Sequence, residues 1–99
     1  MTVREKLEEY LIDAGETDVI FFDGFDEAII GLGRQQYRGP YVIYNREKCI
    51  EILMEEGMEY EEAEEYFQFN TEGCWVGDYT PVIVSMISVF DPYLDMMRV

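Results

Sequence analysis

Histidine is absent from the 99-residue chain, and this absence excludes more chemistry than any other feature of the sequence. Histidine is the side chain that titrates near neutral pH. Without it, neither a Ser-His-Asp triad nor a Cys-His pair can form, and zinc cannot be held by imidazole. We therefore predict a non-enzymatic protein that has no catalytic residue and needs no cofactor.

Cysteine is scarce, with Cys49 and Cys74 as its two occurrences. In a chain of this kind we expect both to be reduced thiols buried in the core. A metal site built on two cysteines would need further ligands, and none is evident. Cys74 lies between Gly73 and Trp75, which superficially resembles the segment around a papain-type nucleophile, but no histidine is present to stabilise its thiolate.

A long hydrophobic run is also missing. The longest apolar stretch, Pro81 to Phe90, is interrupted by Ser85 and Ser88, whereas a membrane span needs about 20 apolar residues. The first six residues, 1–6, lack the apolar region of a secretory signal. We expect a cytosolic chain with no membrane partner.

Basic residues are few: seven Lys and Arg stand against 22 Asp and Glu, for a net charge of −15. From Cys49 to Met97 the sequence has twelve acidic residues and no basic one. Nucleic acids and anionic lipids bind proteins through Lys and Arg, and a surface this negative repels them. We therefore predict no direct binding of nucleic acid and one strongly anionic face.

Periodicity predicts three helices. Thr2 and Glu5 match a capping box ahead of a helix from about Val3 to Ala14. Asn45 is a suitable cap for a second helix that begins at Arg46 and ends at Gly57. A third helix is predicted from about Tyr60 to Phe69. The first helix carries an apolar stripe, which comprises Val3, Leu7, Tyr10, Leu11 and Ala14.

Short β-branched and aromatic runs predict strands. We expect them at Val19–Phe22, Ala28–Leu32, Tyr41–Tyr44, Cys74–Val76 and Pro81–Ile87, with a polar loop at Gln35–Pro40. Gly31 and Gly33 indicate a bulge or a close approach, because no third glycine follows to complete a nucleotide-binding loop. The predicted fold is a single α+β domain over residues 1–99. Its small, mostly antiparallel sheet of three to five strands packs against an N-terminal helix and a central helix–helix hairpin.

Three carboxylates, Asp23, Asp26 and Glu27, cluster at a predicted turn. Oxygen ligands of this kind could hold Mg²⁺ or Ca²⁺, although the spacing does not match an EF-hand. The alternative is a solvated turn in which Asp23 caps the chain and Asp26 bonds nearby amides. We predict that these residues do not form a metal site, and we keep a carboxylate-metal enzyme as a third hypothesis.

Glutamate dominates the central helix pair. Residues four apart share a helix face, so Glu61 with Glu65, and Glu55 with Glu59, would stack anions about 6 Å apart. This distance approaches the phosphate spacing of a nucleic-acid strand. One interpretation is a solvated face that keeps the protein soluble. The other is a docking surface for a basic partner, with the predicted partner-binding residues Glu55, Glu59, Glu61, Glu62 and Glu65.

Four segments resemble a small protein family of tailed phages and prophages. They are FDEAIIG at 25–31, KCIEILM at 48–54, YEEAEEYFQFN at 60–70 and WVGDYTP at 75–81. The resemblance would cover about residues 19 to 84. It implies a phage context and expression inside a bacterial host, but no activity, ligand or catalytic residue.

The leading hypothesis is a binding protein of phage type that engages a host protein through its anionic helical face. That partner would have a basic surface and could itself be a nucleic-acid-binding protein. The runner-up is a structural or assembly protein that forms a homodimer through its apolar C-terminal segment. The segment comprises Val82, Val84, Met86, Ile87, Val89, Phe90, Met96 and Met97.

Overall fold

A computed structural model describes residues 2–86 and shows an α+β fold. Three helices and a small three-stranded sheet are present in this part of the chain, as predicted. None of these helices is long and apolar enough to span a bilayer. In chain order the elements are α1 (Val3–Asp13), a 3₁₀ turn (Asp26–Ala28), β1 (Ile29–Gln35), β2 (Arg38–Asn45), α2 (Arg46–Glu55), α3 (Tyr60–Phe67), a π-helical turn (Gln68–Glu72) and β3 (Val82–Val84).

Helix α1 has the predicted caps but not the predicted packing. The Thr2 hydroxyl accepts a hydrogen bond from the Glu5 amide, which confirms the N-cap. At the other end Gly15, at φ 76°, allows the two hydrogen bonds that close a Schellman motif. Within the apolar stripe, however, Leu11 is the one buried residue, while Val3 and Tyr10 are about half exposed. The helix therefore lies on the surface and contributes little to the core.

The run Val19–Phe22, predicted as a strand, forms no strand in the structure. Its side chains pack against the core instead, and the Phe22 amide donates to the Tyr44 hydroxyl at 2.8 Å. A side-chain hydroxyl thus satisfies this amide where a neighbouring strand would otherwise do so. The run Cys74–Val76 is also not a strand.

The sheet has the order β1-β2-β3 and is mixed. Strands β1 and β2 form an antiparallel hairpin in which Gln35 pairs with Arg38. The turn is therefore only Gln36 and Tyr37, and the predicted loop at Gln35–Pro40 is wrong over most of its length. Strand β3 pairs parallel with β2 and lies at the edge, as predicted, although it is shorter than the predicted Pro81–Ile87. Ile87 and the rest of the C-terminal segment lie outside the described residues.

The core lies between β2 and the two central helices. Val42 and Tyr44 on β2 pack with buried residues of α2, α3 and the 3₁₀ turn, and Phe25 meets Phe67 edge to face at 5.5 Å between ring centroids. Burial raises the pKa of Tyr44 to about 12. On the other face of the sheet, Gly33 leaves room for Ile43, because a Cβ at Gly33 would lie 2.8 Å from the Ile43 Cδ1 atom.

The central helices form the predicted hairpin. Asn45 caps α2 by accepting from the Lys48 amide, and Gly57, at φ 110°, follows the end of α2. Leu53 and Ala63 are buried where the helices pack. Helix α3 ends at Phe67, two residues earlier than predicted, because the backbone changes there from α-helical to π-helical hydrogen bonding.

Candidate functional site

Arg46, the first residue of α2, forms ion pairs with two glutamates that follow it in the chain. Its Nε lies 2.7 Å from Oε2 of Glu72, and its Nη1 lies 3.1 Å from Oε1 of Glu64. These ion pairs raise the pKa of Arg46, with the hydrogen bond to Glu72 as the largest cause. Lys48 pairs with Glu51 at 3.6 Å. The two basic residues of α2, Arg46 and Lys48, are therefore paired with Glu51, Glu64 and Glu72.

The five predicted partner-binding glutamates are all exposed and lack such partners. Among residues 2–86, none of the five forms an ion pair or a side-chain hydrogen bond. Their charges therefore face water without internal neutralisation. The five are Glu55, Glu59, Glu61, Glu62 and Glu65.

The i,i+4 spacing on which the predicted stacking of carboxylates depends exists for one of the two pairs of glutamates and is absent for the other. Glu61 and Glu65 are both on α3, four residues apart, and so lie on one side of that helix. Glu55, however, is the last residue of α2, and Gly57 breaks the helix before Glu59, which is the N-cap residue of α3. The i,i+4 relationship therefore does not apply to Glu55 and Glu59. The anionic surface is divided between two helices instead of forming a single ladder.

Glu55 lines an open groove of about 460 Å³ between α2 and the 3₁₀ turn. The groove brings the two predicted carboxylate clusters together, because Asp26 and Glu27 form its other wall beside Glu55 and Glu56. In the sequence these two clusters are separated by about 28 residues, and no motif links them. Their approach follows from the packing of α2 on the 3₁₀ turn, which no local pattern encodes.

Two of the three carboxylates considered as metal ligands, Asp23 and Asp26, form ion pairs with Arg4. The Nη1 atom of Arg4 lies 3.2 Å from Asp23 and 3.4 Å from Asp26, while its guanidinium carbon is 4.7 Å from the Phe21 ring centroid. Partial burial acts to lower the pKa of Arg4, but its hydrogen bond with Asp23 and the charge of Asp26 outweigh this effect and raise it. Arg4 thus engages oxygens that a cation would need. Within residues 2–86 no three Asp, Glu, Cys or His side chains are grouped to hold a metal ion.

Glu62 and Glu65 line a second, shallow depression of about 310 Å³, together with Tyr66, Phe69 and Asn70. We call this the Phe69 depression. The Phe69 side chain is 78% exposed and Tyr66 is 46% exposed. Tyr66 is not on the buried face of α3, because Ala63 and Phe67 take the buried positions.

The two cysteines have different environments. Cys49 is fully buried, as predicted, and burial raises its thiol pKa to about 12. Cys74 is exposed, so the prediction that both thiols are buried is wrong for this residue. It follows the π-helical turn in a surface loop.

A further groove, of about 580 Å³, lies between the second face of the sheet and the loop that follows the π-helical turn. Its lining includes Tyr41, Cys74 and Trp75, and the Arg38 guanidinium carbon is 6.0 Å from the Trp75 ring centroid. Trp75 is 64% exposed. No pattern in the sequence indicates this groove, because its residues come from distant parts of the chain.

Comparison with known protein families, with curated proteins and with solved structures finds no match for this chain. The resemblance to a phage protein family therefore stays a prediction from the sequence segments.

Proposed function

We propose that the protein is a non-enzymatic binding protein of phage type whose anionic helical face engages the basic surface of a host protein in the bacterial cytoplasm. The contact residues are Glu55, Glu59, Glu61, Glu62 and Glu65. The phage and host context derives from the resemblance noted above.

The observation that supports this proposal is that some glutamates of the central helices form ion pairs within the chain and others do not. Arg46 and Lys48 neutralise Glu51, Glu64 and Glu72, whereas the five proposed contact residues have no cation in the described part of the chain. A carboxylate without an internal partner can pair with an incoming Lys or Arg without breaking an existing ion pair. At a net charge of −15, the same field also accelerates encounter with a basic protein.

Glu61 and Glu65 extend the proposal to one class of partner. Their spacing on α3 is about 6 Å along the helix axis, which approaches the separation of successive phosphates. A protein that binds a nucleic-acid backbone through Lys and Arg would recognise the same distribution of charge. Nucleic-acid-binding host proteins are therefore the proposed targets.

The test is affinity capture from bacterial lysate with three forms of the protein. One form carries Glu61→Gln, Glu62→Gln and Glu65→Gln. The matched control removes the same charge from exposed carboxylates on and after α1, through Glu9→Gln, Asp13→Asn and Asp18→Asn. We expect the control to retain a host protein that the first variant loses, and we expect salt to weaken its capture. Equal capture by both variants would contradict the proposal.

A further inference from the structure

The Phe69 depression combines two features that a merely solvated surface would not combine. Its rim carries Glu62 and Glu65, and its surface is formed in part by the rings of Tyr66 and Phe69. A phenylalanine that remains 78% exposed forgoes most of the hydrophobic stabilisation that burial of such a side chain contributes. Within residues 2–86, nothing covers this ring.

The exposure of Phe69 follows from an ordered piece of backbone. Phe67 and Thr71, on either side of it, are both buried. The chain from Gln68 to Glu72 forms the π-helical turn, and the Asn70 side-chain amide donates to the Tyr66 carbonyl at 2.9 Å. This turn places Phe69 on the outer surface, while Phe67 and Thr71 are buried. π-Helical turns occur frequently at functional sites.

The chemistry of the depression selects one kind of side chain. Aromatic faces attract cations, and arginine is favoured because its planar guanidinium can stack on a ring and still donate to a carboxylate. Glu62 and Glu65 are free to accept, since neither is paired in the described part of the chain. A lysine ammonium would satisfy the charge but would not stack in this way.

We propose that the Phe69 depression binds an arginine side chain of the partner, with the guanidinium stacked on Phe69 and hydrogen-bonded to Glu62 or Glu65. This inference rests on the function proposed above and adds to it the identity of the contacting residue. The partner is a protein whose basic segment carries arginine at the point of contact.

Two synthetic peptides test this assignment by fluorescence anisotropy at roughly 0.1 M salt. Both are short alanine-based helices, one with arginine at every fourth position and the other with lysine at the same positions. We expect the arginine peptide to bind about threefold to tenfold more tightly, the range that a partly exposed cation–π contact supports. Phe69→Ala should abolish this preference and Phe69→Tyr should keep it.

Trp75→Ala provides the matched control, because Trp75 is an exposed aromatic residue outside the depression. It should leave the arginine preference unchanged. Equal binding of the two peptides, or a preference that survives Phe69→Ala, would overturn the assignment of Phe69. If binding then still depended on Glu61, Glu62 and Glu65, the anionic face would remain the binding surface. Peptide binding indifferent to those glutamates would contradict both proposals.

Discussion

Arg46 and Glu72 form the shortest ion pair in the described part of the chain, with 2.7 Å between Nε and Oε2. The pair joins the first residue of α2 to the last residue of the π-helical turn. Arg46 also pairs with Glu64 on α3, so one guanidinium fastens three successive elements together. Both partners of the short pair are less than a third exposed, so the contact is only partly screened by water.

Replacement of Arg46 should therefore destabilise the hairpin. Arg46→Gln removes two charge-assisted contacts and should lower the free energy of unfolding by about 1–3 kcal/mol. Arg46→Lys should cost less, because it keeps the charge but not the forked geometry. Urea denaturation measures both changes. Arg34→Gln is the control: Arg34 is 53% exposed in its pair with Glu16, so its loss should cost clearly less than the loss of Arg46. An Arg46→Gln effect no larger than that of Arg34→Gln would contradict the structural role.

Alkaline pH should destabilise the protein through Cys49 and Tyr44. Burial raises the pKa of each to about 12, whereas in an unfolded chain they ionise near ~8.5 and ~10. Between these values the unfolded chain releases protons that the folded chain retains, so stability falls as pH rises. Each group should contribute a slope of up to about 1.4 kcal/mol per pH unit. Denaturation curves between about pH 8 and 11 should show a shallower fall for Cys49→Ala than for Cys74→Ala. Identical slopes would contradict the burial of the Cys49 thiol.

Charge reversals along α3 should have opposite effects at its two ends. Glu61 and Glu62 lie in the first turn, where anions are stabilised by the helix dipole. Lysine at either position should lower stability by about 0.3–1 kcal/mol. Glu65 lies one turn before the π-helical turn and shares a face with Glu61 and Glu62, so Glu65→Lys replaces repulsion with attraction and should raise stability by a few tenths of a kcal/mol. Thermal melts of the single variants at low salt measure the difference, and a uniform shift in one direction would argue against the dipole.

Added salt should stabilise the protein. With 22 acidic and 7 basic residues, self-repulsion opposes the compact state, and screening at roughly 0.1 M salt acts beyond about 10 Å. The melting temperature should rise from low to physiological ionic strength. It should rise less in the variant with Glu61, Glu62 and Glu65 changed to Gln, because part of the repulsion is already removed. A melting temperature that falls with salt would show that attractive pairs such as Arg46–Glu72 dominate instead.

Local signals in the sequence were sufficient for the elements with clear caps. Thr2, Asn45 and the glycines that follow the helices defined α1, α2 and the hairpin to within a few residues, because caps act through hydrogen bonds between near neighbours. The β-branched and aromatic run at Val19–Phe22 led to a wrong strand prediction, because its side chains are partly buried against the core although its backbone pairs with no strand. The exposure of the proposed partner-binding glutamates could be expected, because charged side chains are rarely buried. Two other features could not be expected. Glu55 and Asp26 line the same groove because of tertiary packing, and Phe69 is exposed because of a π-helical turn.

Carboxyl footprinting shows directly whether the anionic helical face is the binding surface. A water-soluble carbodiimide and an amine label exposed carboxylates, and mass spectrometry compares the free protein with the protein bound to its captured host partner. We expect protection on binding at Glu61, Glu62 and Glu65 and at Glu55 and Glu59, with Glu9, Asp13 and Asp18 labelled equally in both states. Protection confined to α1 or to the sheet groove around Trp75, with the hairpin glutamates still fully labelled in the complex, would contradict it.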